Sequence, residues 1–409
     1  MPSGRGVVVV VAGLLMWFIA RLIGSPGLTA VGVGIGALPF AAAGFSRRSR
    51  QRFVVRRHLS DVRVAPGTRV TVRLDVENRS PASTSFLLLE DRLPSALGRS
   101  ARMVLSGIPP HRSQAVRYTL TPQTRGRYPI GPLSVDVSDP FALSRVRVEF
   151  DERDELIVTP QIEDLLGRDS SPYGTTIGLT RARHLFRTGE EFFTMRQYQQ
   201  GDDLRRLHWP SVARSGELMI RQDETSRRSG ALVFLDTRRG GLGQTLTPAF
   251  EKAVSAAASV GTLLAHGGFS LRIATAETPP VPVSEEGFLD TLTSVGHSTA
   301  HSVGPALAQL RSAAGADITL VVIAAPLVAT ELSSMIRTGA AFGPKLAVLI
   351  YPVDPDSLPP ERQAQLEGRA SLARLSLSRS GWDVVICPPS AHLKDLWNAS
   401  RERRPALSV

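Results

Sequence analysis

The sequence predicts a multidomain protein with an N-terminal transmembrane helical hairpin, an antiparallel β-sandwich, and an α/β domain with a doubly wound parallel sheet. Three observations predict this architecture. Two apolar runs lie at the N-terminus, apolar and polar residues alternate through the middle of the chain, and short apolar runs alternate with helical sequence after Ser229. A chain of 409 residues also favours two or three domains over one.

The composition is that of a folded protein, with 42% hydrophobic and 21% charged residues. The net charge is +11, but Lys252, Lys345 and Lys394 are the only lysines among 48 basic residues. This excess of arginine is typical of a GC-rich coding bias, as in actinobacteria, rather than of a nucleic-acid-binding surface. Cys387 is the only cysteine, which excludes a secreted module held together by intramolecular disulfides.

Residues 6–23 and 28–45 are the two predicted transmembrane helices. Each run of about 18 residues is roughly 27 Å long as a helix, close to the ~30 Å thickness of a hydrocarbon core. A cleaved signal peptide is the alternative, but its apolar region is only about 7–15 residues long, and a second apolar run follows here directly. A buried soluble hairpin is disfavoured because both helices are apolar all round. The second helix carries small residues for close packing at Gly32, Gly34 and Gly36.

A basic juxtamembrane segment, residues 46–57, follows the second helix and contains no acid. By the positive-inside rule it marks the cytoplasmic side, so both termini and residues 46–409 are expected in the cytoplasm. Contact with anionic lipid headgroups is also expected. The arginines of this segment are Arg47, Arg48, Arg50, Arg52, Arg56 and Arg57.

Residues 58–160 have the period-two pattern of a β-sandwich. In residues 69–78, the side chains of Val70, Val72, Leu74 and Val76 fall on one face and polar side chains on the other. Residues 115–122 and 133–140 repeat this alternation, with turn signals between the runs. His58 and His111 are isolated and are predicted at the surface, so this domain is interpreted as a spacer or a binding module.

Residues 229–400 are predicted to form the α/β domain. A helix over residues 247–266 follows the first strand. Such alternation indicates a parallel sheet with helices on both faces, and ligands of these sheets bind at the carboxyl ends of the strands, where Asp236 lies. The predicted strands are residues 231–237, 269–275, 318–326, 345–353 and 382–389.

The region between these domains, residues 161–228, holds the most unusual segment, residues 189–221, in which acids, arginines and aromatics are concentrated. Three interpretations remain open. One is a metal or acid–base cluster of Glu190, Glu191, Asp202, Asp203 and His208. A second is a structural loop, with ion pairs of Asp203 with Arg206 and of Glu217 with Arg214 or Arg221, and with Phe192, Tyr198 and Trp209 anchored in apolar pockets. The third is a partner-docking surface, since protein interfaces favour arginine and aromatic residues. The residues assigned to docking are Gly189, Glu190, Arg196, Tyr198, Gly201, Asp202, Asp203, Arg205, Arg206, His208, Trp209, Arg214, Gly216 and Glu217.

The same segment, with residues 125–143 upstream, resembles the signature of the bacterial domain of unknown function 58 family. The resemblance extends to the order of two membrane helices, a β-sandwich and a von Willebrand factor A-like domain. It implies protein partners, namely a MoxR-type AAA ATPase and a transglutaminase-like membrane protein, and a role in assembly or maturation.

A von Willebrand factor A domain can hold Mg²⁺ through an Asp-x-Ser-x-Ser loop after its first strand. The corresponding residues here are Asp236, Thr237, Arg238, Arg239 and Gly240. Both serines are replaced, and Ala324 and Ala325 stand where a metal-binding relative carries an aspartate. We therefore expect a degenerate site without metal, in which Asp236 pairs with a nearby arginine or caps the following turn.

Together these patterns predict a non-enzymatic, membrane-anchored scaffold or adaptor with no cofactor, no nucleic-acid ligand and no small-molecule substrate. The alternative is a metal-dependent hydrolase or other enzyme that uses the acids and histidine of residues 189–221. Residues 401–409 are a predicted C-terminal tail.

Overall fold

A computed structural model describes residues 4–49, 53–81, 83–84, 86–138, 145–165, 193–198, 209–223 and 229–399. The chain divides into two compact units, Met1–Thr159 and Pro160–Val409. The first contains the N-terminal helices and the β-rich domain, and the second contains the α/β domain.

Two N-terminal helices are long and apolar enough to cross a membrane: α1, Gly4–Ile23, and α2, Pro26–Ser49, whose apolar part ends at Gly44. Both begin two residues before the predicted positions, and α2 continues beyond the predicted end at residue 45. The two helices pack so closely at Gly13 that there is no room for a side chain. An added Cβ there would lie 2.5 Å from the backbone nitrogen of Gly36 and 2.9 Å from the carbonyl oxygen of Gly32. Gly34, predicted to belong to this contact surface, has no neighbouring atom within 4 Å of a Cβ position and lies outside it.

The rest of the first unit consists of three sheets, with strand orders β1-β3-β6, β2-β10-β7 and β5-β4-β8-β9. The pairs are antiparallel except β2 with β10, which is parallel, so the predicted all-antiparallel arrangement is wrong at this pair. The strands are β1 Phe53–Leu59, β2 Arg63–Val64, β3 Val70–Asn78, β4 Leu87–Asp91, β5 Ala101–Leu105, β6 Ser113–Leu120, β7 Gly126–Ile130, β8 Leu133–Ser138, β9 Arg145–Phe150 and β10 Asp154–Val158.

The central strand β3 supplies both apolar cores of this unit. Its predicted inward residues are all fully buried. Leu74 and Val76 pack against the four-stranded sheet, whereas Val70 and Val72 pack against the β2-β10-β7 sheet. One sheet therefore forms a layer that the other two sheets cover, which is the sandwich arrangement that the alternation predicts.

The predicted juxtamembrane segment, residues 46–57, is too long at its C-terminal end because β1 already begins at Phe53. Arg57 does not face lipid: its side chain is 5% exposed and donates to Asp91 at 2.7 Å and to Asp154 at 2.9 Å. Tyr118 Oη donates to the same Asp91 at 2.6 Å. Burial alone would lower the pKa of Arg57, but its bonds to the two carboxylates outweigh burial and raise that pKa. Arg57 thus connects strands of all three sheets.

The second unit contains a hairpin and a helix from the signature region, followed along the chain by the α/β domain. Its strands are β11 Phe193–Gln197, β12 Met219–Asp223, β13 Gly230–Leu235, β14 Ser270–Thr275, β15 Val281–Val283, β16 Ile318–Ala324, β17 Lys345–Ile350 and β18 Asp383–Cys387. Its helices are α3 Trp209–Ser215, α4 Arg239–Leu242, α5 Pro248–His266, α6 Glu285–Ser294, α7 Gly304–Leu310, α8 Ala329–Gly339, α9 Pro360–Arg379 and α10 Leu393–Ala399.

The α/β sheet has six strands in the order β15-β14-β13-β16-β17-β18. The five long strands are parallel, as predicted, whereas the short edge strand β15 runs antiparallel to β14 and was missed. Helices cover both faces: α5, α6 and α10 contribute Phe250, Phe288 and Trp397 to one core, and α7, α8 and α9 contribute residues such as Met335 and Leu377 to the other. The sheet is therefore doubly wound.

Residues 161–165, which we call the strap, lie along α5 at the start of the second unit. Ser255 Oγ donates to the carbonyl of Gln161 at 2.7 Å, and the Glu163 amide donates to Ser259 Oγ at 2.9 Å. The Glu163 carboxylate accepts from Lys252 Nζ at 2.6 Å and from the Lys394 amide at 3.1 Å. These residues were assigned to the signature region, but they are part of the α/β domain.

Candidate functional site

The carboxyl edge of the α/β sheet holds a buried carboxylate that is neutralised by an arginine. Asp236 follows the central strand β13 directly and is fully buried. Arg238, two residues later, clasps it with two side-chain bonds, Nη2 to Oδ2 at 2.8 Å and Nε to Oδ1 at 2.9 Å. The backbone amide of Arg238 also donates to Asp236 Oδ1, at 3.1 Å. The predicted pairing of Asp236 with a nearby arginine is confirmed.

A second carboxylate completes the cluster. Arg238 Nη1 donates to Oε1 of Glu331, which lies in the first turn of α8, and to the carbonyl of His301 at 3.4 Å. Burial alone would lower the pKa of Arg238, but its hydrogen bonds and charge pairing with Asp236 and Glu331 raise it. The guanidinium therefore stays charged and connects β13, α8 and the segment before α7.

This arrangement determines what the edge can bind. The Arg238 side chain is 8% exposed and bonds to both carboxylates, so it occupies the space between them. A divalent cation would have to displace this fixed positive charge. Within the described parts of the chain, no group of three or more His, Cys, Asp or Glu residues is placed to hold a metal ion.

The described part of the signature region is a hairpin with a helix between its strands. β11 pairs antiparallel with β12, from Phe193 opposite Asp223 to Gln197 opposite Met219. The amide of Tyr198 donates to the carbonyl of Leu218 at 2.8 Å and extends the ladder by one bond. Gly216 ends α3 with a φ of 73°, a left-handed conformation that favours glycine.

The helix presents its tryptophan to solvent. Trp209, the first residue of α3, is 67% exposed, so the prediction that it anchors the region in an apolar pocket is wrong. Leu218 is 44% exposed, and Arg214 and Glu217 are also exposed, whereas Tyr198 is half-buried. Glu217 accepts a hydrogen bond from Gln197 Nε2. An exposed apolar surface with a cationic neighbour is typical of a binding site for another protein.

Many of the predicted signature residues lie outside the described residues: Gly189, Glu190, Glu191, Phe192, Gly201, Asp202, Asp203, Arg205, Arg206 and His208. The acid–base alternative and the Asp203–Arg206 pair therefore stay predictions. The structure brings Tyr198, Trp209, Arg214, Gly216 and Glu217 together in one hairpin-and-helix element, in which Arg196 lies opposite Ile220.

Sequence reasoning missed Glu331 as a member of the Arg238 cluster. Its position carries a usable signal, because it lies in the first turn of the helix that follows β16, the strand next to β13. Neighbouring parallel strands end at the same edge of a sheet. The helices that follow these strands therefore begin close together, and the side chains of their first turns can meet.

Comparison with known proteins places this region in a family. The family model described as protein of unknown function DUF58 matches residues 194–380. The uncharacterized protein YeaD of Bacillus subtilis is 25% identical over 226 residues, which cover 51% of this chain and 52% of that protein. The chain thus matches about half the length of this curated relative.

Similarities to solved structures are low and carry no argument about fold or function. A CARDB domain from Pyrococcus furiosus is 16% identical with a TM-score of 0.20, and the match covers 26% of this chain and 91% of that one. The alkylpurine DNA glycosylase AlkC of Pseudomonas fluorescens is 14% identical with a TM-score of 0.17, over 31% and 39% of the two chains. The similarity to the DUF58 family therefore rests on the match at residues 194–380, together with the Bacillus relative.

Proposed function

We propose that this protein is a membrane-anchored, non-enzymatic adaptor that binds protein partners in the assembly or maturation of a membrane or cell-envelope complex. α1 and α2 are the anchor, both termini are cytoplasmic, and the α/β unit is a von Willebrand factor A-like domain. The partners are a MoxR-type AAA ATPase and a transglutaminase-like membrane protein, which the family resemblance implies.

The observation that carries the proposal is the exposure of Trp209 at the start of α3. A tryptophan that is 67% exposed costs free energy in water, and it is the residue type most enriched at the energetic centres of protein interfaces. Leu218, which is 44% exposed, is a second apolar side chain that the same element presents to solvent, and the exposed Arg214 can donate to a partner carboxylate. The element is thus suited to hold a protein surface.

The Arg238 cluster supports a non-catalytic and cation-independent mode of binding. The six-stranded sheet with one antiparallel edge strand is the arrangement expected of a von Willebrand factor A-like domain. In such a domain the loop after the first strand holds the metal, and here that loop holds Arg238 bonded to Asp236 and Glu331. Binding of a partner at this domain is then expected to continue in the presence of chelators.

The test is co-purification of the full-length protein in detergent with a MoxR-type AAA ATPase, followed by titration of the pair. Trp209→Ala should weaken binding by about 2 kcal/mol or more, which is roughly thirtyfold in Kd. Leu372→Ala is the matched control, because Leu372 is also 67% exposed but lies on α9, outside the signature region. The melting temperature of both variants should stay near that of the parent protein.

Three results would count against the proposal. Equal binding by the parent and Trp209→Ala proteins would remove the docking role of this element. Unfolding of Trp209→Ala would mean that the tryptophan serves the fold. A stoichiometric metal ion in the purified protein, together with hydrolase activity, would favour an enzyme. The anchor orientation is tested separately with a reporter that works only in the cytoplasm. Fused after Val409, this reporter should be active.

A further inference from the structure

The link between α2 and the sandwich is short enough to fix which end of the sandwich faces the membrane. α2 ends at Ser49 and β1 begins at Phe53. Four Cα–Cα steps separate these residues and span at most about 14 Å. In the same unit α2 contacts β9. The end of the sandwich where β1 and β9 begin therefore stays beside the cytoplasmic end of α2, a consequence that rests on the anchoring proposed above.

Strand register identifies what else lies at that end. β1 begins opposite the end of β3, and β3 ends opposite the beginning of β6. β9 begins opposite the end of β8, and β4 begins beside that end. The loop between β5 and β6 and the residue before β4 therefore belong to the same end. We call Phe86 and residues 106–112 the proximal surface.

Apart from Ile108, the proximal surface is exposed to solvent, and hydrogen bonds hold its loop in place. The Asn78 side-chain amide donates to the carbonyls of Ile108 at 3.0 Å and Pro109 at 3.2 Å, and the Ile108 amide donates to Thr84 Oγ1 at 2.8 Å. Ile108 is fully buried in the apolar core of the sandwich and attaches the loop to it. Three hydrogen bonds and one buried side chain thus hold the loop against the sandwich.

Its chemistry combines an apolar side chain with unpaired positive charge. Phe86 is 65% exposed, and Pro109, Pro110, His111 and Arg112 are all exposed. Residues 79–86 and 106–113 contain no acid. Among the residues that the structure describes, the Arg112 guanidinium has no acidic partner, whereas Arg79 is paired with Glu77 at 2.9 Å. The opposite end of the sandwich carries the acids Asp61, Asp151 and Glu152.

We propose that the proximal surface binds the anionic phospholipid headgroups of the bilayer that α1 and α2 span. Arg112 and His111 contact the lipid phosphates, and Phe86 lies at the boundary between headgroups and acyl chains, where aromatic side chains are stabilised. An arginine near an anionic leaflet strengthens association about fivefold. The sandwich then rests against the membrane on this surface instead of moving freely on its link.

The test uses the full-length protein in nanodiscs with a fluorophore on one cysteine, in a Cys387→Ala background. The probe is attached at Ser106→Cys on the proximal surface or at Gln123→Cys at the opposite end of the sandwich. The two ends are about 20 Å apart, which is the length of the seven-residue strand β1. A third probe at Val8→Cys in α1 reports anchoring, because Val8 is 67% exposed along the span. Quencher lipids carry the quenching group on the headgroup or on the acyl chain.

We expect headgroup quenchers to quench the probe at position 106 severalfold more than the probe at 123, and more in phosphatidylglycerol than in phosphatidylcholine discs. Arg112→Glu removes one positive charge and adds a negative one, so in phosphatidylglycerol it should lower the bound-to-free ratio reported by the probe at 106 by at least about fivefold. Arg99→Glu is the matched control, since it reverses an exposed arginine at the far end and should change nothing.

The outcomes separate this proposal from the one on which it rests. If acyl-chain quenchers reach position 8 but positions 106 and 123 are quenched equally, the anchor stands and the lipid-binding surface is refuted. If quenching at 106 is strong but insensitive to Arg112→Glu and to phosphatidylglycerol, proximity alone explains it and headgroup recognition is refuted. If position 8 is not quenched, the anchor fails, and the lipid-binding surface fails with it.

Discussion

Replacement of Arg238 by methionine should destabilise the α/β unit strongly, because two carboxylates lose their shared cation. Asp236 has a side chain with no exposure and Glu331 is 16% exposed, so water solvates the first carboxylate very little. Removal of one partner from a buried ion pair costs about 3–5 kcal/mol, chiefly because the other charge is left unpaired. We expect Arg238→Met to lower the free energy of unfolding of this unit by that amount.

Urea unfolding followed by tryptophan fluorescence measures the loss, because Trp382 and Trp397 are each 1% exposed in this unit. With an m-value of about 2–3 kcal/mol/M, the unfolding midpoint should fall by about 1–2.5 M. The double variant Arg238→Met with Asp236→Asn removes the buried charge as well, and it should recover at least half of the loss. A midpoint change below about 0.3 M for Arg238→Met, or a double variant as unstable as the single one, would refute the reasoning.

Three further predictions concern the same unit. Gly261→Ala places a Cβ on the Phe288 ring, so the variant should lose about 1–3 kcal/mol in urea unfolding although alanine favours helices; an unchanged midpoint would contradict this packing. Glu163 has a lowered pKa: burial opposes the shift, but the bonds from Lys252 and the Lys394 amide outweigh it. Its stabilising contribution is therefore complete above the ordinary carboxyl pKa and is lost as the pH falls through the lowered value. Stability measured from pH 6 to pH 3 should fall less steeply for Glu163→Gln; equal slopes would show that Glu163 does not contribute. Burial raises the pKa of the Cys387 thiol to about 11, so a maleimide at pH 8 should label it at least a hundredfold more slowly than in urea, and rapid labelling of the folded protein would contradict its burial.

Periodic sequence predicted the parts of the fold that depend on local pattern. The alternation in β3 gave the correct buried face, and the apolar runs gave the five parallel strands of the α/β sheet. The edge strand β15 was missed because Val281 and Pro282 are exposed and the strand has only three residues. The parallel pair of β2 and β10 was missed because two residues carry no period.

Side-chain roles that depend on distant partners could not be predicted. Arg57 stands at the end of a basic run and was grouped with membrane-facing arginines, yet its partners Asp91 and Asp154 lie 34 and 97 positions away in the sequence. The structural-loop interpretation placed Trp209 in an apolar pocket and the docking interpretation placed it at the surface, and its exposure depends on which surfaces α3 meets. By contrast, the pairing of Asp236 was predictable because its partner is two residues away.

The strap has a mechanical consequence. In the anchored, partner-bound state proposed above, a pull between the first unit and the partner enters the second unit at Pro160 and acts first on residues 161–165. The strap is fastened at several points along α5, by Ser255, Ser259 and Lys252. A force directed along the helix loads these bonds together, as in shear, and does not open them one after another. In that state the strap takes up tension ahead of the sheet that begins at β13.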